Sequence, residues 1–288
     1  MCGVAGAFGA PIDPDRIDAT LRLMAQRGPD GQGVLRTDLG GQTVTLLHTR
    51  LSIIDLDERA AQPFERGDVA VSFNGEIYNY RELRRELEAR GVRFTTTSDT
   101  EVLLEAYRAW GTAAFDRLEG MWALALIDRH NGTLILSRDR FGEKPLYIMQ
   151  RHGTLYFASE IKALAALSGA WPAVDYGYVA RALVMGYRVL HKTAQDYYKG
   201  VTNLPAASFA VLKSPGAPDP EKYWSLRYDT TPMTAADAAE GVRERLLRSV
   251  ELRMRADVPL AFSNAALCRI HVPASSSTTR VSATPAET

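Results

Sequence analysis

Cysteine is almost absent from this chain, with 2 in 288 residues. Two thiols far apart in sequence, Cys2 and Cys268, exclude a disulfide framework and a zinc site of clustered cysteines. They fit a reducing compartment, so the expected location is cytoplasmic. An excess charge of one sign is also lacking, because Lys+Arg and Asp+Glu both number 34. No nucleic-acid and no membrane partner is therefore expected from charge. Long apolar runs are missing as well: none approaches the roughly 20 residues of a membrane span, and the start lacks the basic and apolar regions of a secretory leader. What remains is a chain with 46% hydrophobic residues, the composition of a globular protein.

The first residues, Met1-Cys2-Gly3-Val4-Ala5-Gly6, carry the strongest chemical suggestion. Methionine removal, expected before a small second residue, would leave a thiol and a free α-amino group on Cys2. Such an amine titrates near about 7.7–8.0 and a thiol near about 8.5, so the amine can take the thiol proton and later return it to a leaving group. The plain alternative is a cysteine that happens to open a strand.

Asp13-Pro14 reads as an N-cap followed by proline at the first helical position, with Ile17, Leu21 and Met24 on one face. Arg27-Gly28-Pro29-Asp30-Gly31 reads as a connecting turn. Thr43 to Leu47 is predicted to be a strand and Leu51-Ser52-Ile53-Ile54-Asp55 a second short one. Arg50 lies between these apolar stretches, where a guanidinium needs an anion. That anion is either a structural carboxylate or the carboxylate of a substrate.

Val69 to Phe73 reads as a strand running into Asn74-Gly75-Glu76-Ile77-Tyr78-Asn79. Asn-Gly is a turn signal, and equally a pair of donors, one amide side chain and one backbone N–H, that suits an oxyanion. Ser98-Asp99-Thr100-Glu101 matches a capping box ahead of a helix to Trp110. Asp99 either stabilises that helix start or offers a fixed carboxylate to an ammonium.

Met121 to Asp128 and Thr133 to Ser137 form a predicted hairpin through His130-Asn131-Gly132, and Leu146 to Gln150 pairs with Leu155 to Ala158 through His152-Gly153. The intervening Ser137-Arg138-Asp139-Arg140-Phe141-Gly142-Glu143-Lys144 is dense in charge and reads as a network holding a turn. Ser159 is a candidate N-cap for a helix through Ile161 and Leu164. A tyrosine-containing peripheral lobe from Pro172, with a strand at Ser208–Leu212, leads to the proline-rich 214–220. Thr234 to Arg255 is an amphipathic helix ended by Pro259, and Ala261 to Thr288, rich in Ser, Thr, Ala and Pro, is expected to be disordered.

Taken together, the Cys2, Arg27–Gly31, Arg50–Asp55, Phe73–Asn79, Ser98–Glu101 and Ser137–Gly142 stretches resemble class II glutamine amidotransferases. Within that class they are most similar to the N-terminal part of glutamine-hydrolysing asparagine synthetases, over Met1 to about Pro259. The resemblance implies an α+β fold of the N-terminal-nucleophile (Ntn) hydrolase kind, a four-layer α/β/β/α sandwich with antiparallel sheets, followed by a short remnant of a synthetase domain. The implied organisation is an amidotransferase domain over 2–205 with a core to about 165, a linker and first synthetase helix over 206–260, and a non-family tail over 261–288.

The resemblance also implies roles. Cys2 is the nucleophile and, through its amine, the base; Asn74 and Gly75 form the oxyanion hole. Arg50 binds the α-carboxylate of L-glutamine, and Glu76 with Asp99 holds its α-amino group. No cofactor and no metal is implied for glutamine hydrolysis. In the family, the released ammonia amidates aspartate in a synthetase domain that uses ATP and magnesium. That domain opens with a glycine-rich phosphate loop after a stretch like Asp257-Val258-Pro259-Leu260, whereas this sequence continues Ala261-Phe262-Ser263-Asn264. A frameshift or interruption near Leu260 is the expectation, leaving an orphan C-terminal helix that invites a homodimer or other association. The competing expectations are an inactive truncated product or partner-binding fragment, or the glutaminase half of a synthetase that amidates another carboxylate.

Overall fold

The computed structural model describes residues 1–186, 196–228 and 230–260. The predicted tail and Cys268 lie outside the described residues, as does part of the expected tyrosine-containing lobe. In chain order the strands are β1 (Gly3–Gly9), β2 (Gly31–Leu39), β3 (Gln42–Arg50), β4 (Phe64–Arg66), β5 (Val69–Ile77) and β6 (Gly120–Asp128), then β7 (Thr133–Arg138), β8 (Tyr147–Arg151), β9 (Thr154–Ala158), β10 (Val201–Asn203), β11 (Ser208–Leu212) and β12 (Glu221–Lys222). The helices are α1 (Pro14–Met24), α2 (Tyr80–Ala89), α3 (Asp99–Trp110), α4 (Ala114–Arg117), α5 (Ile161–Ser168), α6 (Tyr176–Met185) and α7 (Ala235–Arg253).

One sheet runs β10-β8-β9-β1-β3-β2 and the other β12-β11-β7-β6-β5-β4. Every pairing described within them is antiparallel. Alternation sends one side of each strand inward and the other toward helices. Val4, Phe8, Leu46, Ala125, Ile127 and Leu136 pack between the sheets. Ala5, Ala7 and Leu47 face the other way, against Ile17, Leu21 and Met24 of α1 and Leu164 of α5. Val71, Phe73 and Leu124 meet Leu83 and Leu87 of α2 and Leu103 of α3. Two sheets between two helical layers give the α/β/β/α sandwich. Truncating any one of these core leucines to alanine would cost about 2–5 kcal/mol.

Close approach in the middle of the first sheet depends on Gly6, where a Cβ would lie 2.3 Å from the Phe157 ring and 2.5 Å from the Thr45 carbonyl oxygen. The register pairs Gly3 with Thr49, which leaves Cys2 beyond the end of β1 and next to Arg50 at the end of β3. In the second sheet Asn74, Gly75 and Glu76 pair with Ala123, Trp122 and Met121.

Three local expectations change. Leu51 to Asp55 is a loop rather than a strand, since the chain there curls back to place the Asp55 and Asp57 carbonyls on the Arg50 side chain. Asn74-Gly75 is no turn: β5 continues through it to Ile77, because β6 offers a full ladder of partners. Ser159 does not cap α5; its Oγ instead accepts from the Val4 N–H at 3.0 Å, fastening β1. The second sheet also continues past residue 205, where β11 pairs with β7 and buries Phe209 in the core against α3 and α4. Among the described residues no helix is long and apolar enough to cross a membrane.

Candidate functional site

Ends of both sheets and the start of α3 converge on one cavity, lined by Cys2, Arg50, Asn74, Gly75, Glu76 and Asp99. All six residues singled out in the sequence are brought together. Cys2 is partly buried, and its Sγ accepts from the Leu51 N–H at 3.4 Å. Burial pushes its thiol up from the usual range, while the Leu51 N–H and the terminal ammonium pull it back. Met1 is still attached here, so the Cys2 nitrogen is a peptide amide standing where methionine removal would expose an α-amine. The neighbouring Met1 ammonium is held low by burial first, and then by the Arg27 and Lys144 cations.

Asn74 is 1% exposed, yet its Nδ2 has no hydrogen-bond partner among the described residues. A buried unpaired donor costs about 1–3 kcal/mol, and such a donor facing a cavity points to an acceptor supplied by a ligand. Gly75 follows because nothing larger fits: a Cβ there would lie 2.0 Å from the Met121 carbonyl oxygen. Both residues sit mid-strand, which gives their donors a fixed direction.

Arg50, 9% exposed, donates through Nη1 to the Asp57 carbonyl at 2.9 Å and through Nη2 to the Asp55 carbonyl. These partners are neutral carbonyls rather than the structural carboxylate of the alternative reading, so they aim the guanidinium without cancelling its charge. On another wall, Asp99 is 5% exposed and its Oδ2 accepts from the Ile77 N–H at 3.0 Å. Burial, with the Glu76 carboxylate adding to it, pushes Asp99 up to about 7. Glu76 is also raised by burial. A cationic group placed between the two carboxylates would relieve both. The helix start itself is capped by Ser98, whose Oγ accepts from the Thr100 N–H at 3.0 Å. Glu101 does not complete the expected capping box; its carboxylate turns to the Thr95 and Thr96 N–H groups.

Two residues in this site were not singled out by the sequence. Lys144, 6% exposed, lines the cavity and donates to the Met1 sulfur at 3.2 Å. Its loop is clamped by the buried Asp139, which accepts from the backbone N–H groups of Trp122, Phe141, Glu143 and Lys144. Arg138 wraps the same loop by donating to the carbonyls of Gly142 and Lys144. Arg27, in the segment read as a connector, donates through Nε to the Cys2 carbonyl at 2.9 Å.

Residues 1–224 match the family model described as a glutamine amidotransferase domain. The chain belongs to this glutamine amidotransferase family. It is 33% identical over 254 residues to the amidase chry2 of Gibberella zeae, covering 86% of this chain and 36% of the amidase. It is likewise 33% identical over 270 residues to the glutamine-hydrolyzing asparagine synthetase 1 of Bacillus subtilis, covering 90% of this chain and 41% of the synthetase. The amidotransferase chain thus spans about two fifths of the length of these relatives. Among solved structures it resembles the glutamine phosphoribosylpyrophosphate amidotransferase of B. subtilis complexed with ADP and GMP, with a TM-score of 0.56 at 19% identity over 78% of this chain and 50% of that one. That likeness concerns the fold, which is the Ntn-hydrolase arrangement of two antiparallel sheets expected from the sequence.

Proposed function

We propose that this amidotransferase domain hydrolyses the side-chain amide of L-glutamine to glutamate and ammonia, with Cys2 as nucleophile. The observation that carries the reading is the buried, unpartnered Asn74 Nδ2 in the same cavity as the Cys2 thiol. After Met1 is removed, the Cys2 amine takes the thiol proton as Sγ attacks the amide carbon. The oxyanion that forms is met by the Asn74 Nδ2 and the Gly75 N–H, donors worth about 10²–10³ each in rate. Collapse breaks the C–N bond, the amine's proton leaves with ammonia, and a γ-glutamyl thioester remains on Cys2. Water, deprotonated by the same amine, then attacks the thioester and frees glutamate and the thiol. Arg50 takes the α-carboxylate, and Glu76 with Asp99 takes the α-ammonium, so that the substrate's two charged ends are fixed while its amide reaches the thiol.

The fate of the ammonia is a finer proposal. Transfer to aspartate, in an ATP- and magnesium-dependent step outside the described residues, is supported by the likeness to the Bacillus asparagine synthetase. Another carboxylate as acceptor is supported by the equal identity to the fungal amidase. The domain is proposed to run to about Trp224, with α7 leading toward a synthetase region. Intact-mass measurement tests the hydrolytic reading: the purified chain should lack one methionine, and acid quenching during turnover should reveal a glutamyl adduct on Cys2. A chain that retains Met1, or an adduct on another residue, would refute it.

A further inference from the structure

Asp257-Val258-Pro259-Leu260, the stretch where the family resemblance ends, has no part in the hydrolysis just derived, yet it is bound to the glutamine site. Asp257 Oδ2 accepts from the Asp55 N–H at 2.8 Å, and the Asp257 N–H donates to the Ile53 carbonyl at 2.8 Å. Asp55 is the turning point of the loop after β3, with φ of 51°. A non-glycine residue in that region persists only where its surroundings hold it. Its carboxylate is held by the Thr97 N–H at 2.7 Å, its N–H by Asp257, and its carbonyl is a seat for Arg50. Two residues earlier than Asp257, Arg255 forms a two-pronged ion pair with Glu82, 2.6 Å on each side. It also donates to the Tyr78 carbonyl at 2.6 Å, one residue beyond the Ile77 N–H that holds Asp99. The segment after α7 therefore contacts the loop that seats Arg50 and, through Tyr78, the residue that follows the Ile77 N–H holding Asp99.

We propose that Asp257 is a positioning residue for glutamine: by pinning the Asp55 turn it fixes the carbonyls that aim Arg50, with Arg255 anchoring the segment. The proposal rests on the glutaminase reading and extends it, because it makes glutamine affinity answer to the chain immediately after α7. Movement of that segment releases the turn, and the Arg50 guanidinium loses the direction that a two-pronged contact with the α-carboxylate needs.

The test compares wild type, Asp257→Ala and Asp257→Asn in the full chain, by ammonia release against glutamine concentration and by hydrogen exchange of residues 51–57. Asp257→Ala should raise KM about tenfold with kcat within about twofold, the pattern of lost ground-state binding. Asp257→Asn keeps an oxygen for the Asp55 N–H and should restore KM to near wild type. Exchange in 51–57 should speed up in the alanine variant alone. Wild-type turnover with an unchanged KM in Asp257→Ala, or unchanged exchange, overturns the positioning role and leaves the glutaminase reading standing. A wild-type chain that neither binds nor hydrolyses glutamine overturns the glutaminase reading itself, and the positioning role with it.

Discussion

Asp99→Asn should make the protein more stable and worse at holding glutamine, with both effects dependent on pH. The native carboxyl titrates at about 7 against 3.8 for an ordinary aspartate, because burial disfavours its charge more than the Ile77 N–H favours it. The folded state therefore binds this proton more tightly than the unfolded chain does. Stability contributed by Asp99 is complete below about pH 4, falls as pH rises to about 7, and is flat above. At about 1.36 kcal/mol per tenfold, the gap between 3.8 and about 7 amounts to about 4 kcal/mol absent at pH 8. Asparagine has the same shape, can still accept from Ile77, and carries no charge to bury. Urea unfolding at pH 4 and pH 8 should show the two proteins alike at the lower pH and the variant several kcal/mol more stable at the higher. The same variant should raise KM for glutamine about 100-fold, as expected for removing one partner of a buried charge pair. In the wild type, KM should climb as pH drops below about 7, where Asp99 takes up its proton. An Asp99→Asn effect on stability that is equal at both pH values, or a KM indifferent to the change, would refute this reasoning.

Three further outcomes are expected. Asn74→Ala should lower kcat about 10²–10³-fold with little change in KM; because Nδ2 has no partner to lose, urea unfolding should place its stability within about 1 kcal/mol of wild type. Gly75→Ala should cost about 3 kcal/mol or more, read as a lowered Tm or loss of soluble protein, since its Cβ would meet the Met121 carbonyl oxygen at 2.0 Å in a continuous strand. Lys144 lines the cavity with Cys2 and adds to burial in holding the Met1 ammonium low; if it acts in the same way on the Cys2 amine exposed once Met1 is gone, Lys144→Met should move the acid limb of kcat/KM against pH to higher pH, and a limb that stays in place would show that Lys144 does not tune the base.

The grouping of the candidate site was legible because its residues sit in short, ordered motifs. Cys2, Arg50, Asn74, Gly75 and Asp99 could be named from residue type and from the family resemblance, Glu76 from the resemblance alone, and the structure gathers them around one cavity. The two central hairpins were legible too, since Asn131-Gly132 and His152-Gly153 separate apolar runs and do form the β6–β7 and β8–β9 turns. Elsewhere long-range contacts outweighed local signals. Asn74-Gly75 reads as a turn until β6 is laid beside it, and Ile53-Ile54 reads as strand although the Ile53 carbonyl accepts from Asp257 and the carbonyls just beyond it, of Asp55 and Asp57, seat Arg50. The β2 strand, Gly31–Leu39, passed unnoticed because it is an outer strand with polar, largely exposed residues and two glycines. Lys144 was hidden for a different reason. Its loop is the charge network that the sequence suggested, but nothing local tells which cation the Asp139 clamp turns toward Cys2.

The central claim, that Cys2 beside Asn74 and Gly75 forms a working glutaminase centre, is tested most directly by ammonia release from glutamine by the purified chain, measured beside Cys2→Ala. Wild type should release ammonia and glutamate in equal amounts, and the variant should fall to the rate of glutamine in buffer alone. Equal rates from the two folded proteins would contradict the account.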